Sequence, residues 1–382
     1  MPWKETTKMV QRGELIEKWR SRTYGVSELA EWFGVSRPTV YQWIARYEES
    51  GPEGLVDRPS IPKSCPHRTT DEIAEAIIAA KRAWSDWGPQ KLIDYLRREK
   101  PNVAWPAPST AGRILESEGL VKKRRKRRGL SLHHVCRLSA SESGEMMTTD
   151  HKGEFRLGNR QYCYPLTIAD PVSRFVYRLD ALDSRSIERA RPGFEKVFRE
   201  YGIPWFAGSD NGGPFCCSRA LGGLTRLAVW WIRMGITPVR IHPGCPWENG
   251  IHERMHKTLK AETTRPPAET MAGQQKRFDE FRDVFNHVRP HEALDGRSPA
   301  TELRACARPY PERLLPIEYP GHFEVRRVRP AGQIKWQGGL LFISQALAGE
   351  WIGLQEIDDG VWSIYFAAVE LGRYDEKTNS LS

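Results

Sequence analysis

The 382-residue chain has no apolar run approaching the ~18 residues that a membrane-spanning helix needs, and its first residues, MPWKETTKMV, lack the apolar centre of a signal peptide. No membrane partner is expected, and the expected location is cytoplasmic. Cysteine is scarce: seven residues, an odd number, with Cys216 and Cys217 adjacent, which excludes a disulfide framework. No Cys-x-x-Cys pair is present, and His133, His134 and Cys136 lack the second ligand pair of a structural zinc site. The absence of a Gly-x-x-x-x-Gly-Lys-Ser/Thr loop excludes P-loop nucleotide hydrolysis.

Acidic charge is short in one half only. The chain carries 58 Lys+Arg against 48 Asp+Glu, net +10; residues 1–140 hold 26 basic and 17 acidic side chains, and the remainder is near neutral at 32 and 31. This asymmetry points to a front half that binds a polyanion. Lys122, Lys123, Arg124, Arg125, Lys126, Arg127 and Arg128 are consecutive, a run that repels itself and suits an extended arm following a phosphate backbone.

Residues 26–49, VSELAEWFGVSRPTVYQWIARYEE, place Leu29, Ala30 and Phe33 on one helical face, Gly34 at a turn, Ser36 as an N-cap, and Val40, Trp43 and Ile44 at helical spacing. This is a helix-turn-helix pattern with Pro38 in the first turn of the second helix. The outward residues of that helix, Arg37, Thr39, Tyr41 and Gln42, are the ones that can reach base edges or phosphates in a major groove. After a Pro-rich stretch, three more amphipathic helices are expected over 71–84, from Trp87, and from Ser109 as N-cap.

From residue 145 the texture changes to short strands rich in aromatic and β-branched residues, EMMTTDHKGEF, YCYPLTIAD and RFVYRLDAL, followed by a helix, SIERARPGFEKVFREYG, with its Pro and Gly expected near the start, and a returning strand, IPWFAGSD. Asp150 lies in the first strand and Asp210 ends the later one. Glu253 follows Gly250 on an expected helix, with Lys257 and Lys260 at i+4 and i+7. Asp-Asn-Gly turns and Glu–Lys helix pairs are individually common, but a carboxylate inside a strand needs exposure or a ligand.

In combination these motifs resemble the DDE core of retroviral integrases and bacterial insertion-sequence transposases. The resemblance rests on Asp150 in its strand, Ser-Asp-Asn-Gly at 209–212 and Pro-Trp-Glu-Asn-Gly-Ile-His-Glu-Arg at 246–254. Gly-Leu-Val-Asp-Arg-Pro at 54–59 and Phe-Asn-His-Val-Arg-Pro-His-Glu-Ala-Leu at 285–294 match the insertion-sequence branch. It implies an RNase H-like fold in which Asp150, Asp210 and Glu253 gather two Mg²⁺ ions, with Mn²⁺ able to substitute. Mg²⁺ takes hard oxygen ligands and keeps several waters, and paired ions suit an in-line phosphoryl displacement. It further implies 3′-end cleavage at terminal inverted repeats, strand transfer into double-stranded target DNA, a homo-oligomeric synaptic complex and association with the bacterial nucleoid. Lys257, Lys260 and, by extension, Arg254 match positions that hold DNA beside the metals.

The sequence departs from this pattern in two places. The gap between Asp210 and Glu253 exceeds the family's usual one, and the excess is expected in SRALGGLTRLAVWW; Glu248 would give a shorter gap, but it precedes Asn249-Gly250 and is expected in a loop. Met147 stands where the family often has Trp. The alternative reading, a domesticated DNA-binding protein with a non-catalytic core, would be favoured by a lost triad residue, and none is lost. A stand-alone nuclease would leave the front-half helices without a purpose, and no arginine-framed nucleophile of a serine or tyrosine recombinase is found.

Residues 320–382 alternate polar and apolar between Gly-rich turns, as in a small β-barrel resembling the SH3-like C-terminal domain of the same branch. Arg326, Arg327, Arg329 and Lys335 could touch DNA there, or the domain could pack on protein. The expected architecture is multidomain: helix-turn-helix units over 1–60 and 68–121, a basic linker over 122–144, an α/β RNase H-like core with a mixed sheet over 145–300, and the C-terminal barrel.

Overall fold

A computed structural model describes residues 7–57, 68–121, 138, 140–151, 153–217 and 220–381. The basic run Lys122–Arg128 and the His133, His134, Cys136 group lie outside the described residues. The chain divides into two compact units, Met1–Thr69 and Thr70–Ser382.

The first unit holds α1 (Lys8–Arg20), α2 (Val26–Trp32) and α3 (Arg37–Ser50). Leu15, Ile16, Leu29, Ala30, Val40 and Ile44 form its core, the faces expected from their spacing. Gly34 takes a positive φ of 63° at the turn between α2 and α3. Ser36 caps α3 by accepting from the Thr39 amide at 3.4 Å.

The second unit begins with α4 (Asp71–Ala83), α5 (Pro89–Glu99) and α6 (Pro108–Ser117). Two starts differ from expectation. α5 opens at Pro89 because Trp87 is buried in the preceding turn, and α6 is preceded by Ala107, so that Ser109 lies within the helix and does not cap it. In both, proline takes the first helical position, where its missing N–H costs nothing.

The core follows as β1 (Met146–His151), β2 (Phe155–Arg156), β3 (Tyr162–Ala169), β4 (Val176–Leu182), α7 (Ile187–Tyr201), β5 (Phe206–Ser209), α8 (Arg226–Arg233), β6 (Thr237–Arg240), α9 (Gly250–Thr263), α10 (Met271–Asp283) and α11 (Pro299–Glu302). The sheet runs β2-β3-β1-β5-β6, with β4 also on β3. β3 is antiparallel to β1 and β4, whereas β1, β5 and β6 are parallel, so the sheet is mixed. Met147, Leu166, Ile168 and Ala207 point to one face and pack with Phe194, Val197, Phe198 and Trp231 of α7 and α8. The opposite face packs Ala169, Val176 and Leu179 against Met255, Leu259, Phe278 and Phe281 of α9 and α10. Met147, 2% exposed, is thus an ordinary part of the first layer. Pro192 and Gly193 fall inside α7, not at its start; the hydrogen bond that Pro192 forfeits belongs to the Glu188 carbonyl in the exposed first turn, where water can replace it.

The C-terminal strands are β7 (Glu324–Arg327), β8 (Gln333–Trp336), β9 (Gly339–Phe342), β10 (Trp351–Asp358), β11 (Val361–Phe366), β12 (Val369–Asp375) and β13 (Ser380–Leu381). They form a five-stranded antiparallel sheet, β13-β12-β11-β10-β7, and a separate two-stranded ribbon, β8-β9. Among the described residues, strand pairing does not close these into a ring; the region is antiparallel throughout, and the ribbon packs with the sheet's apolar face in one cluster. Residues 221–232, which overlap the 218–231 stretch expected to hold the extra length, supply the seat for this region. Leu224, Ala228, Val229 and Ile232 share a cluster with Ile352, Leu354, Ile364 and Phe366, while Leu227, Trp230 and Trp231 on the other side of α8 belong to the core of the mixed sheet.

Candidate catalytic cleft

Asp150 is the fifth residue of β1 and Asp210 follows the last residue of β5. Because Thr148 pairs with Gly208 and Thr149 with Ser209, continuing the parallel register sets Asp150 beside Asp210 on the same face of the sheet. That face is the one α9 crosses. Both aspartates are partly exposed. Asp210 also steadies its own turn, since its carboxylate accepts from the Gly212 amide at 3.1 Å while Asn211 donates to the Ile241 carbonyl at 2.8 Å.

Beneath Asp150 lies a polar group that the sequence motifs did not single out. Asn249 donates to the Asp150 carboxylate at 3.2 Å, and His256 Nδ1 stands 3.7 Å from the same oxygen. His252 bridges Thr148 Oγ1 at 2.8 Å and Thr167 Oγ1 at 3.2 Å, and His256 Nε2 meets Thr167 Oγ1 at 3.0 Å. Thr167 has one hydroxyl proton, which it donates to the Asp150 carbonyl at 3.0 Å, so it accepts from both imidazoles. Thr148 likewise donates its one hydroxyl proton to the Ala169 carbonyl at 3.1 Å, so each threonine oxygen offers His252 an acceptor and a neutral ring can donate to one of them at a time. Burial holds the His252 pKa down to about 4, so the ring is neutral near pH 7. Asn249, His252 and His256 are separated by three and four residues and therefore share one helical face; a polar stripe at these spacings is the signal that could have revealed them.

Asp150, His252 and His256 bring ligand-type atoms within 4.8 Å of one another. His252 is 1% exposed and spends both ring nitrogens on threonines, so the group reads as a support that fixes Asp150, with the carboxylate as its outward element. Glu253 lies in the first turn of α9, exposed, one turn beyond Asn249 and three residues before His256. Strand register sets Asp150 and Asp210 on neighbouring strands, and Glu253 lies on the helix whose His256 approaches Asp150, whereas the cluster of ligand-type atoms around Asp150 contains His252 and His256 and neither Asp210 nor Glu253. Glu248 is 8% exposed and accepts from the His242 amide at 2.8 Å, with its other oxygen 2.8 Å from His242 Nδ1, so it ties down the loop ahead of α9.

Lys257 and Lys260 are exposed on α9. Arg254, also exposed, is on the flank facing α5, within electrostatic reach of Lys91. In the first unit Arg37, Gln42 and Tyr41 are exposed, Tyr41 to 60%, whereas Thr39 is half-buried and shares a 2.8 Å hydrogen bond with Ser36 Oγ.

Among the described residues, no helix is long and apolar enough to cross a membrane. Residues 11–63 match the model of a helix-turn-helix domain, 39–115 that of a homeodomain-like domain, 234–299 that of an integrase core domain, and 323–382 that of the IS481 family transposase C-terminal domain. Over 240 residues, 58% of the chain, it is 23% identical to the Gag-Pol polyprotein of woolly monkey sarcoma virus, of which it covers 13%. An uncharacterised protein of Sinorhizobium fredii is 37% identical over 70 residues, 18% of this chain and 46% of that one. Among solved structures, the simian T-cell lymphotropic virus intasome in complex with the PP2A regulatory subunit B56 gamma is similar at a TM-score of 0.37 and 12% identity, covering 79% of this chain and 98% of that one. The HTLV-2 integrase catalytic core domain in complex with magnesium gives 0.32 and 11%, covering 44% and 100%. Helix-turn-helix helices, an integrase core and the IS481-type C-terminal domain follow one another along the sequence, and the chain belongs to the insertion-sequence transposases with an integrase-like core.

Proposed function

We propose that the protein binds the terminal inverted repeats of a mobile element and catalyses 3′-end cleavage and transfer of the freed strand into target DNA. Asp150, Asp210 and Glu253 are its catalytic, metal-holding carboxylates. The observation that carries this reading is the carboxylate pair on adjacent parallel strands, Asp150 beside Asp210, with α9 laid across that face and touching Asp150 through Asn249 at 3.2 Å. These hard oxygen donors at a partly exposed strand end suit Mg²⁺, or Mn²⁺ in its place, better than a nitrogen- or sulfur-seeking ion. Two bound ions would activate the attacking oxygen and stabilise the leaving one.

The protein's own contribution is placement. Asn249 holds Asp150, the Asp210 turn is locked by Gly212, and Lys257 and Lys260 offer positive charge to the DNA beside the carboxylates. Arg37, Thr39, Tyr41 and Gln42 meet the element end, the Lys122–Arg128 run follows its backbone, and the protein works as a homo-oligomer that pairs two ends.

The test uses purified full-length protein, Mg²⁺ or Mn²⁺, and labelled DNA from the flanks of the gene. Asp210→Asn should abolish cleavage and joining while leaving DNA binding intact. A variant that joins ends as well as the wild type would remove Asp210 from the chemistry.

A further inference from the structure

The rungs that join β1 to β5 run from Met146–Phe206 to Thr149–Ser209, so Asp150 and Asp210 stand one residue past the last of them. Beyond that point the two strands are tied to different neighbours. His151 stays paired with Leu166 of β3, while the Asp210 turn leans the other way, through Asn211 to the Ile241 carbonyl. A ring contact crosses the gap on the reverse face of the sheet. Successive strand residues alternate faces, so His151 points away from the cleft, with Met147, into the layer packed on α7 and α8. There its ring stacks on Phe215, centroids 5.5 Å apart and planes inclined by 26°, and Phe215 stacks in turn on Trp231 at 6.2 Å and 12°. Phe215 and Trp231 are both buried. Phe215 is also the far end of the Asp210 turn: its amide donates to the Gly212 carbonyl at 3.0 Å, and the Gly212 amide donates to the Asp210 carboxylate at 3.1 Å. The ring contact therefore closes a circuit from Asp150 through His151, Phe215 and Gly212 to Asp210.

We infer that His151 and Phe215 are positioning residues that set the spacing of Asp150 and Asp210, by stacking on the side of the sheet away from the cleft. This rests on the metal-holding reading of the two carboxylates above. Ions held about 3.5–4 Å apart tolerate little drift in their ligands, and a misplacement of about 1 Å can slow a reaction ~10²-fold. Strand hydrogen bonds give no such precision past their last rung. The ring pair does, because His151 is restrained by β3 and Phe215 by Trp231, so that neither shifts without giving up a contact. Leucine at either position would fill the layer yet present no ring face to its neighbour.

The test compares His151→Leu, Phe215→Leu and His151→Phe in the full-length protein, with Phe194→Leu as the control. Phe194 meets Trp231 edge-on at 5.2 Å, in the same layer but outside the circuit. In EDTA, amide hydrogen exchange at Gly212 and Phe215 should quicken roughly two- to tenfold in His151→Leu and Phe215→Leu, the worth of one aromatic pair, and keep the wild-type rate in His151→Phe. Mn²⁺ binding, followed by the paramagnetic resonance of the free ion, should weaken about tenfold or more in the same two variants and recover in His151→Phe. Phe194→Leu should lower the melting temperature yet leave both readouts unchanged. Wild-type exchange at the turn in His151→Leu would overturn the proposal. Faster exchange with unchanged Mn²⁺ affinity would also overturn it, and so would Mn²⁺ affinities that simply follow melting temperature through the control. His151 is only half-buried, so its variants keep the test alive if Phe215→Leu folds poorly. If the wild type binds no Mn²⁺, the metal-holding reading falls, and the exchange rates then decide on the stack alone.

Discussion

Replacing His291 by leucine should make the second unit less sensitive to acid. The ring lies edge-on to Phe285, centroids 4.7 Å apart, and hydrogen-bonds the Phe285 backbone; its Nε2 is buried without a partner. Burial, followed by the charges of Lys91 and Arg289, lowers its pKa from 6.5 to about 3. In the unfolded chain the ring takes a proton as pH falls below about 6.5, whereas the folded ring resists until about 3. Stability contributed by the neutral ring is therefore complete above about 6.5 and is lost as pH falls towards 3, at up to about 1.4 kcal/mol per pH unit and with a ceiling near 5 kcal/mol. Leucine cannot titrate, so that share of the slope should vanish. At pH 7 the variant should lie within about 1 kcal/mol of the wild type, having exchanged one backbone hydrogen bond for the removal of an orphaned nitrogen. His151 and His252, both lowered to about 4 by burial, contribute equally to both proteins and cancel in the difference. Urea midpoints at steps from pH 7 to 4.5, read by tryptophan fluorescence, supply the comparison. Equal pH slopes in the two proteins would refute the assignment of a buried, neutral ring.

Two further outcomes follow from packing. Asn286, 2% exposed, accepts from the Val176 amide and donates to the Val176 carbonyl, both at 2.9 Å, so Asn286→Ala orphans two buried backbone groups and should cost about 2–5 kcal/mol by chemical denaturation; a loss below 1 kcal/mol would mean that water replaces the amide. Ile232→Ala, on the side of α8 that enters the C-terminal cluster, should cost about 2–4 kcal/mol and expose the 323–382 segment to protease before the mixed-sheet core; cleavage in that core first would count against α8 as its seat.

Local periodicity carries far in this chain. The helix-turn-helix is legible because Leu29, Ala30, Val40 and Ile44 are set by spacing within one short stretch, with Gly34 and Ser36 marking the turn and the cap. The strands are legible for the same reason. Properties decided by distant pairing are not: β10 pairs with β7 and β11 while β8 and β9 pair only with each other, an arrangement that alternation cannot choose. α8 reads as a single hydrophobic helix, and only the tertiary structure divides it between two cores. The cleft shows the same limit. Asp150 and Asp210 stand out as carboxylates at strand ends, yet their adjacency is a matter of register between β1 and β5, which are far apart in sequence. His252 and His256 pass for surface residues in a polar helix until Thr148 and Thr167 are seen beneath them, because a buried polar residue is recognisable only with its partner. A charged or polar residue at an apolar-face position of a helix that crosses a sheet is thus the feature to inspect first. Here it leads from Asn249 and His256 straight to Asp150.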